Sequence, residues 1–212
     1  MNFIGSELSG YDLSGKNLQN TDLSDSYLRG TNFTGSNLQG ANLAGTSLQA
    51  ANFTNADLRG ATLDTACEIE DAIWTNAILD EKWENVMKLF QGGKLITKDL
   101  QGMDLRSVCF SQDLSDVNFS GANLDNALLR TRLTGAIFLN ASLRNATIPS
   151  EVDLTNADFT GADVTGARFW KTSFINTIIT LEQLKTADIK CTWLPDGTLY
   201  DEESCYGTTP VP

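Results

Sequence analysis

An all-β solenoid is the fold class that this 212-residue sequence predicts. Three observations point to it. Leu or Phe recurs at every fifth residue without a break from Phe3 to Leu63. The residue just before it is commonly Asn or Asp, as at Asp12, Asn17, Asn32 and Asn42. The residue two before it is often small, as at Ala41, Ala51, Ala56 and Ala61. A period of five matches neither the helical period of about 3.6 nor the strand period of about 2. A chain that turns a corner every five residues accounts for it.

The pattern resumes at Leu100, Leu105 and Phe110 and continues through Leu114, Phe119, Leu124, Leu129, Leu133, Phe138, Leu143 and Ile148. It then runs through Leu154, Phe159, Val164, Phe169, Phe174 and Ile179. The spacing shortens by one residue before Leu114 and Leu133 and lengthens by one at Pro149-Ser150-Glu151. These slips read as bulges or shortened corners within one solenoid. After Leu63 the pattern weakens: Cys67, Glu68 and Ile69 miss the phase, and Ile73 and Ile78 regain it.

Residues 81–91 place Trp83, Val86, Met87 and Phe90 at helical spacing, with acids in the first turn and Gly92-Gly93 as a stop, so an amphipathic helix is expected there. Its apolar stripe is expected to pack on its own solenoid; the alternative is a helix that docks a partner. At the C-terminus, Thr180 followed three residues later by Gln183 forms a capping box, predicting a short helix to about Ala187 that closes the open end. Pro195-Asp196-Gly197 lies between β-favouring residues and predicts a hairpin over Trp193 to Tyr200. The resulting organisation is a first repeat run at 1–80, an inserted helix and loop at 81–97, a second run at 98–179, and a helix, hairpin and tail at 180–212.

Composition narrows the chemistry. With 27 acids against 15 bases the net charge is −12, which disfavours direct nucleic-acid binding. No apolar run is long enough to insert in a membrane. There is no histidine, so the commonest general base and the commonest metal ligand are missing. No pair of cysteines has zinc-knuckle spacing, and the glycines fall at unit ends, where corners need positive φ, so they form no phosphate cradle. Asp153, Asp158 and Asp163 could be read as Ca²⁺ ligands, but the repeat itself asks for polar groups there, and they are expected to be solvated scaffold. No cofactor, metal site or catalytic residue is expected, and the chain is not expected to be an enzyme.

Units such as Ala41-Asn42-Leu43-Ala44-Gly45 and Ala157-Asp158-Phe159-Thr160-Gly161 resemble the pentapeptide-repeat family, over most of the chain. The resemblance implies a right-handed quadrilateral β-helix, four units to a square coil, with the central Leu or Phe and the small residue pointing inward. Every fourth unit then returns to the same side. Phe53 is expected on Phe33, and Phe119, Phe138 and Phe159 in one aromatic column. The resemblance also implies a cyanobacterial or plastid source and a scaffold whose specific role is open. Thylakoid lumen or periplasm is favoured over cytoplasm, and a monomer over an oligomer.

Some family members mimic duplex DNA and bind type II topoisomerases, which supplies an alternative function. A mimic needs its negative charge along the rod, yet residues 1–66 carry 6 acids and 3 bases, and residues 98–179 carry 9 and 7. A protein-interaction scaffold is therefore preferred. Its candidate partner surface is Arg130, Arg132, Arg168, Trp170 and Lys171, which unit counting puts on adjacent outer faces. Cys191 and Cys205 flank the predicted hairpin and are expected to form a disulfide. Whether Cys67 reaches Cys109 depends on the path of the insertion, and the sequence leaves that pair open. The first five residues carry no basic or apolar part of a secretory signal, with the repeat already in phase at Phe3.

Overall fold

The computed structural model describes residues 2–91 and 94–200. The chain divides into two compact units. The first holds residues up to Ile96 together with Val108–Phe110; the second holds Thr97–Ser107 and the residues from Ser111 onward.

In the first unit, parallel bridges join each residue to one a full coil later: Asn2 to Asp22, Glu7 to Tyr27, Asp12 to Asn32 and Asn17 to Asn37. Four such positions per coil make it four-sided. The backbone of one coil bonds the next in both directions, with the Leu23 N–H donating to the Asn42 carbonyl at 2.8 Å and the Asn42 N–H to the Thr21 carbonyl at 2.9 Å. Leu23, Phe33, Leu43 and Phe53 are fully buried in the lumen. Phe33 and Phe53 stack with centroids 5.0 Å apart, as the unit count requires.

The outward Asn or Asp has a local task. Its side-chain oxygen accepts the N–H two residues on, as Asp12 does from Ser14 at 3.0 Å, holding the corner closed. Asn side chains also reach the coil below, with Asn32 Nδ2 donating to Asp12 Oδ1 at 3.0 Å. Glycine at the corner has a steric reason at Gly45: φ is +69°, and a Cβ there would lie 2.3 Å from Asp25 Oδ1. At some corners the small inward residue is Ser or Thr and its hydroxyl bonds the neighbouring coil; Ser26 Oγ donates to the Phe3 carbonyl at 2.6 Å and Thr31 Oγ1 to the Leu8 carbonyl at 2.8 Å.

The phase after Leu63 differs from the sequence expectation. A 3-10 turn, Ile69–Asp71, follows Glu68 in the left-handed region and adds one residue to the coil, so Asn52 bridges Ile73 and Asp57 bridges Ile78. Ile73 and Ile78 therefore face outward, 48% and 46% exposed. Ile69, Trp74 and Leu79 take the inward places, and Trp74 extends the aromatic column by stacking on Phe53.

Helix α1, Glu81–Met87, is shorter than the 81–91 stretch. The Leu89 carbonyl accepts from Ile96 instead of continuing the helix, and Phe90–Gln91 pairs antiparallel with Lys94–Leu95. Phe90 thus belongs to a strand, whereas Trp83, Val86 and Leu89 are buried. The expected stop at Gly92-Gly93 lies outside the described residues. Cys67 and Cys109, both nearly buried, form a disulfide across a sequence separation of 42.

In the second unit the slips become coils of unequal length. Asp99 bridges Asn118 and Asn118 bridges Ile137, each one residue short of the first unit's repeat, whereas Ile137 bridges Asp158, one residue long. Leu128–Leu129, Thr147–Ile148, Arg168–Trp170 and Asp188–Lys190 pair in parallel in that order. Phe119 stacks on Phe138 at 5.1 Å and Phe138 on Phe159 at 4.6 Å.

Helix α2, Leu181–Leu184, has the predicted capping box, with the Gln183 N–H donating to Thr180 Oγ1 and Gln183 Oε1 accepting from the Thr180 N–H. It ends at Leu184 instead of near Ala187, because the chain returns to the coil: Phe169 registers with Ile189, and Ser173 bridges Trp193. Thr192–Trp193 then pairs antiparallel with Leu199–Tyr200 around Pro195-Asp196-Gly197. Cys191 is disulfide-bonded; its expected partner, Cys205, lies outside the described residues.

Candidate functional site

The predicted surface residues lie in the second unit, and the strand pleat decides which of them face out. Along Arg168–Trp170 the buried Phe169 alternates with exposed Arg168 and Trp170, as a period of two demands. Lys171 follows at the corner with φ of 54°, in the left-handed region where most other corners carry Gly, Asn or Asp. Its N–H donates to the Lys190 carbonyl at 2.8 Å, which fixes the next coil directly beside it.

Trp170 is the centre of this corner. The ring is 42% exposed. Lys190 Nζ lies 4.7 Å from its centroid and the Arg168 guanidinium carbon 6.0 Å. Both distances are within cation–π range. Lys190 was not among the residues expected here, since residues beyond Ile179 were read as having left the repeat. The signal was available: Leu184, Ile189 and Leu194 keep the five-residue step, and Lys190 stands one coil after Trp170.

Arg130 and Arg132 are placed differently. Arg130 follows Leu128–Leu129, two coils from Trp170 on the same corner column. Arg132 lies on the next side of the coil, where its charge helps hold the Asp113 and Asp153 carboxyls below the usual range, after the larger effect of hydrogen bonds from Ser115 and Thr155. The structure thus gathers Arg168, Trp170 and Lys171, keeps Arg130 in line with them, and assigns Arg132 to an acidic neighbourhood.

Other cations of this unit have anionic or carbonyl partners. Arg106 pairs with Asp104 at 2.6 Å, Arg144 with Asp125 at 2.8 Å and Lys185 with Glu182 at 2.6 Å, while Lys98 donates to the Ser115 carbonyl. Among the described residues, no carboxylate oxygen comes within 4.0 Å of the charged nitrogens of Arg168, Lys171 or Lys190. Three cations and one exposed indole therefore share a corner without a counter-ion from those residues.

Asp153, Asp158 and Asp163 diverge. Each belongs to a different side of the coil and accepts its own turn N–H, from Thr155, Thr160 and Thr165 at 2.9, 2.8 and 3.0 Å. They do not converge on a point where one ion could sit, and among the described residues no group of three or more potential ligands could hold a metal. No helix among the described residues is long and apolar enough to cross a membrane.

The pentapeptide-repeats profile matches with 8 copies, over residues 2–40, 26–64, 113–148 and 150–180, more than half of the chain. The chain belongs to the pentapeptide-repeat family. The fold of this family is the right-handed quadrilateral β-helix, with which the parallel four-sided winding agrees.

Among solved structures, this pentapeptide-repeat protein is similar to HetL, a pentapeptide repeat protein involved in heterocyst differentiation regulation, from the cyanobacterium Nostoc sp. strain PCC 7120. The two are 26% identical over 94% of this chain and 78% of that one, with a TM-score of 0.42. It is similar to another Nostoc pentapeptide repeat protein at 35% identity, over 37% of this chain and 64% of that one, with a TM-score of 0.36. A pentapeptide repeat protein from the Arabidopsis thaliana thylakoid lumen is 24% identical over 89% of this chain and 81% of that one, with a TM-score of 0.18. The curated proteins include no match to this chain.

Proposed function

We propose that this pentapeptide-repeat protein is a non-enzymatic scaffold that binds a protein partner through the corner formed by Arg168, Trp170 and Lys171, with Arg130 in line and Arg132 at its edge. The observation that carries the reading is the exposed Trp170 ring flanked by cations that the described carboxylates leave unpaired. Trp and Arg are the side chains most enriched among residues that dominate binding energy. The coils supply a rigid support, because each backbone step is bonded to its neighbours and the lumen is filled.

Helix α2 serves as one corner of the last coil, and the hairpin after it serves as the cover of the solenoid's end. Gln183 Nε2 donates to the carbonyls of Phe159 and Ala162 at 2.7 and 2.9 Å, satisfying groups that an open coil would leave bare. The buried Trp83 and Val86 favour α1 as an insertion packed on its own unit over a docking helix. The Cys67–Cys109 bridge and the bonded state of Cys191 support an oxidising compartment such as the thylakoid lumen or periplasm.

Affinity capture with the purified protein from a photosynthetic lysate tests the scaffold. A defined partner should be retained by the native chain and lost from the Arg168→Ala/Trp170→Ala variant. Equal retention by both would overturn this surface. Inhibition of supercoiling by purified protein at micromolar concentration would instead favour the topoisomerase-directed alternative.

A further inference from the structure

Resting on the scaffold reading, we infer that the Trp170 corner recognises an acidic, extended segment of a partner protein. Lys190 stands one coil after Trp170 in the column that begins at Arg130, and Arg168 and Lys171 flank Trp170 along its own coil, within a chain whose net charge is −12. Asp188, in register with Arg168, and Glu151, at the preceding corner, are the carboxylates closest in the coil count. The column carries local positive charge on an acidic molecule.

The extent of the column selects the ligand. Arg130, Pro149, Trp170 and Lys190 occupy successive coils, three steps of about 4.8 Å, or about 14 Å in all. That length matches about four residues of extended chain. Alternate side chains of such a chain face the same way, about 6.7 Å apart. A segment with acids at alternate positions thus presents one carboxylate to Lys190 and the next to the cations of the Trp170 coil, Arg168 or Lys171, and its backbone and intervening carbon atoms can lie against the exposed indole.

A membrane surface or a nucleic-acid duplex is a poorer match. Either extends well past the column and meets the acids of the surrounding faces, and screening over about 8 Å at physiological salt confines the attraction to the corner itself. A short peptide stays at the corner, where the cations outnumber Asp188 and Glu151.

The test uses the full chain and fluorescein-labelled Gly-Glu-Leu-Glu-Leu-Glu-Gly, read by fluorescence anisotropy. The controls are its Gln-for-Glu counterpart, phosphatidylcholine vesicles containing one third phosphatidylserine, and a short DNA duplex. The acidic peptide should bind in a salt-sensitive manner. Lys190→Gln and Trp170→Ala should each weaken it by about fivefold or more, the scale of a dominant interface residue. Both side chains are at the surface, and unchanged thermal melting verifies that the variants fold.

Equal binding of the Gln peptide would overturn the inference. So would tighter binding of vesicles or duplex than of peptide, or salt-sensitive self-association abolished by Lys190→Gln. If a captured partner still needs Trp170 while the acidic peptide does not bind, the acidic chemistry fails and the scaffold survives. If the captured partner is also indifferent to Trp170, both fail.

Discussion

Trp74 stacks on Phe53 with ring centroids 4.4 Å apart and planes 5° from parallel, although one extra residue separates them beyond the regular coil. The 3-10 turn at Ile69–Asp71 absorbs that residue, and Trp74 Nε1 donates to the Ile69 carbonyl at 2.8 Å, tying the ring to the turn that positions it. The inward phase has moved from Ile73 to Trp74. Trp74→Ala should therefore destabilise the first unit by about 2–3 kcal/mol, less than for a fully buried aromatic because the ring is half-buried. Ile73→Ala, at an exposed position, should stay within about 0.5 kcal/mol of the native chain. Urea unfolding of the two variants distinguishes the phases, and a reversed order would refute the assignment.

Phe138 lies between Phe119 and Phe159 and is fully buried. Truncation removes two stacked contacts, each worth about 0.5–1.5 kcal/mol beyond area burial, and leaves a cavity that bonded coils cannot collapse around. Phe138→Ala should cost about 3–5 kcal/mol. Phe138→Leu, which keeps much of the volume, should cost clearly less. Equal losses in denaturant melts would mean that the column contributes little beyond filling space.

The lumen was legible because a large side chain at every fifth place has few physical explanations, and the columns at Phe33 and Phe138 follow from counting. The slip near Glu68 was harder to read. Both Ile73 and Trp74 are apolar, so the sequence offers two phases and only the turn chooses between them. The continuation past Ile179 was masked by the Thr180–Gln183 capping box, a strong local helix signal that proved to occupy one corner of a continuing coil. The Trp170 corner was half legible for the same reason: Arg168, Trp170 and Lys171 are adjacent in sequence, whereas Lys190 joins them only through the register. Pairing of Cys67 with Cys109 depended on the path of the insertion, which local pattern does not encode.

The Cys67–Cys109 bridge joins two residues of the first unit and closes a long loop of chain. For a separation of 42 residues the chain-entropy estimate gives about 4 kcal/mol of stabilisation. The Cys67→Ser/Cys109→Ser variant should melt well below the native chain under non-reducing conditions, with Cys191 untouched. Added reductant should lower the native melting temperature toward the variant's. A variant as stable as the native chain would show that the coil contacts alone hold Val108–Phe110 in place.

The corner carboxylates make stability depend on pH. Hydrogen bonds from Ser14, Ser24, Thr155 and Thr165 hold Asp12, Asp22, Asp153 and Asp163 below the ordinary carboxylate range. At Asp57 the Arg59 side chain does the same. A depressed folded value means that the unfolded chain takes up protons first as pH falls. The contribution is fully present above the unfolded value of about 3.9 and is lost as pH drops through the lower folded values. The urea midpoint should be flat near neutrality and fall below about pH 4. Replacing Asp12, Asp22, Asp153 and Asp163 together by Asn preserves an acceptor at each corner and should flatten that fall. An unchanged acid limb would show that other groups govern it.

Ser26 and Ser36 occupy equivalent inward corners, both about 1% exposed, yet differ in their bonding. Ser26 Oγ donates to the Phe3 carbonyl at 2.6 Å and accepts the Ser6 N–H at 3.2 Å, whereas Ser36 Oγ is buried without a hydrogen-bond partner. A buried hydroxyl without a partner keeps its desolvation cost and gains no bond in return. The same column has alanine one coil on, at Ala56, so the backbone accommodates the smaller side chain without adjustment. Ser36→Ala should raise stability by about 1 kcal/mol, and Ser26→Ala should lower it by about 1–2 kcal/mol. The two substitutions remove the same atom from the same type of corner, so opposite shifts in the urea midpoint would isolate the hydrogen bond from the packing. Loss of stability in both variants would mean that the Ser36 hydroxyl has a partner in solution, such as a water in the lumen.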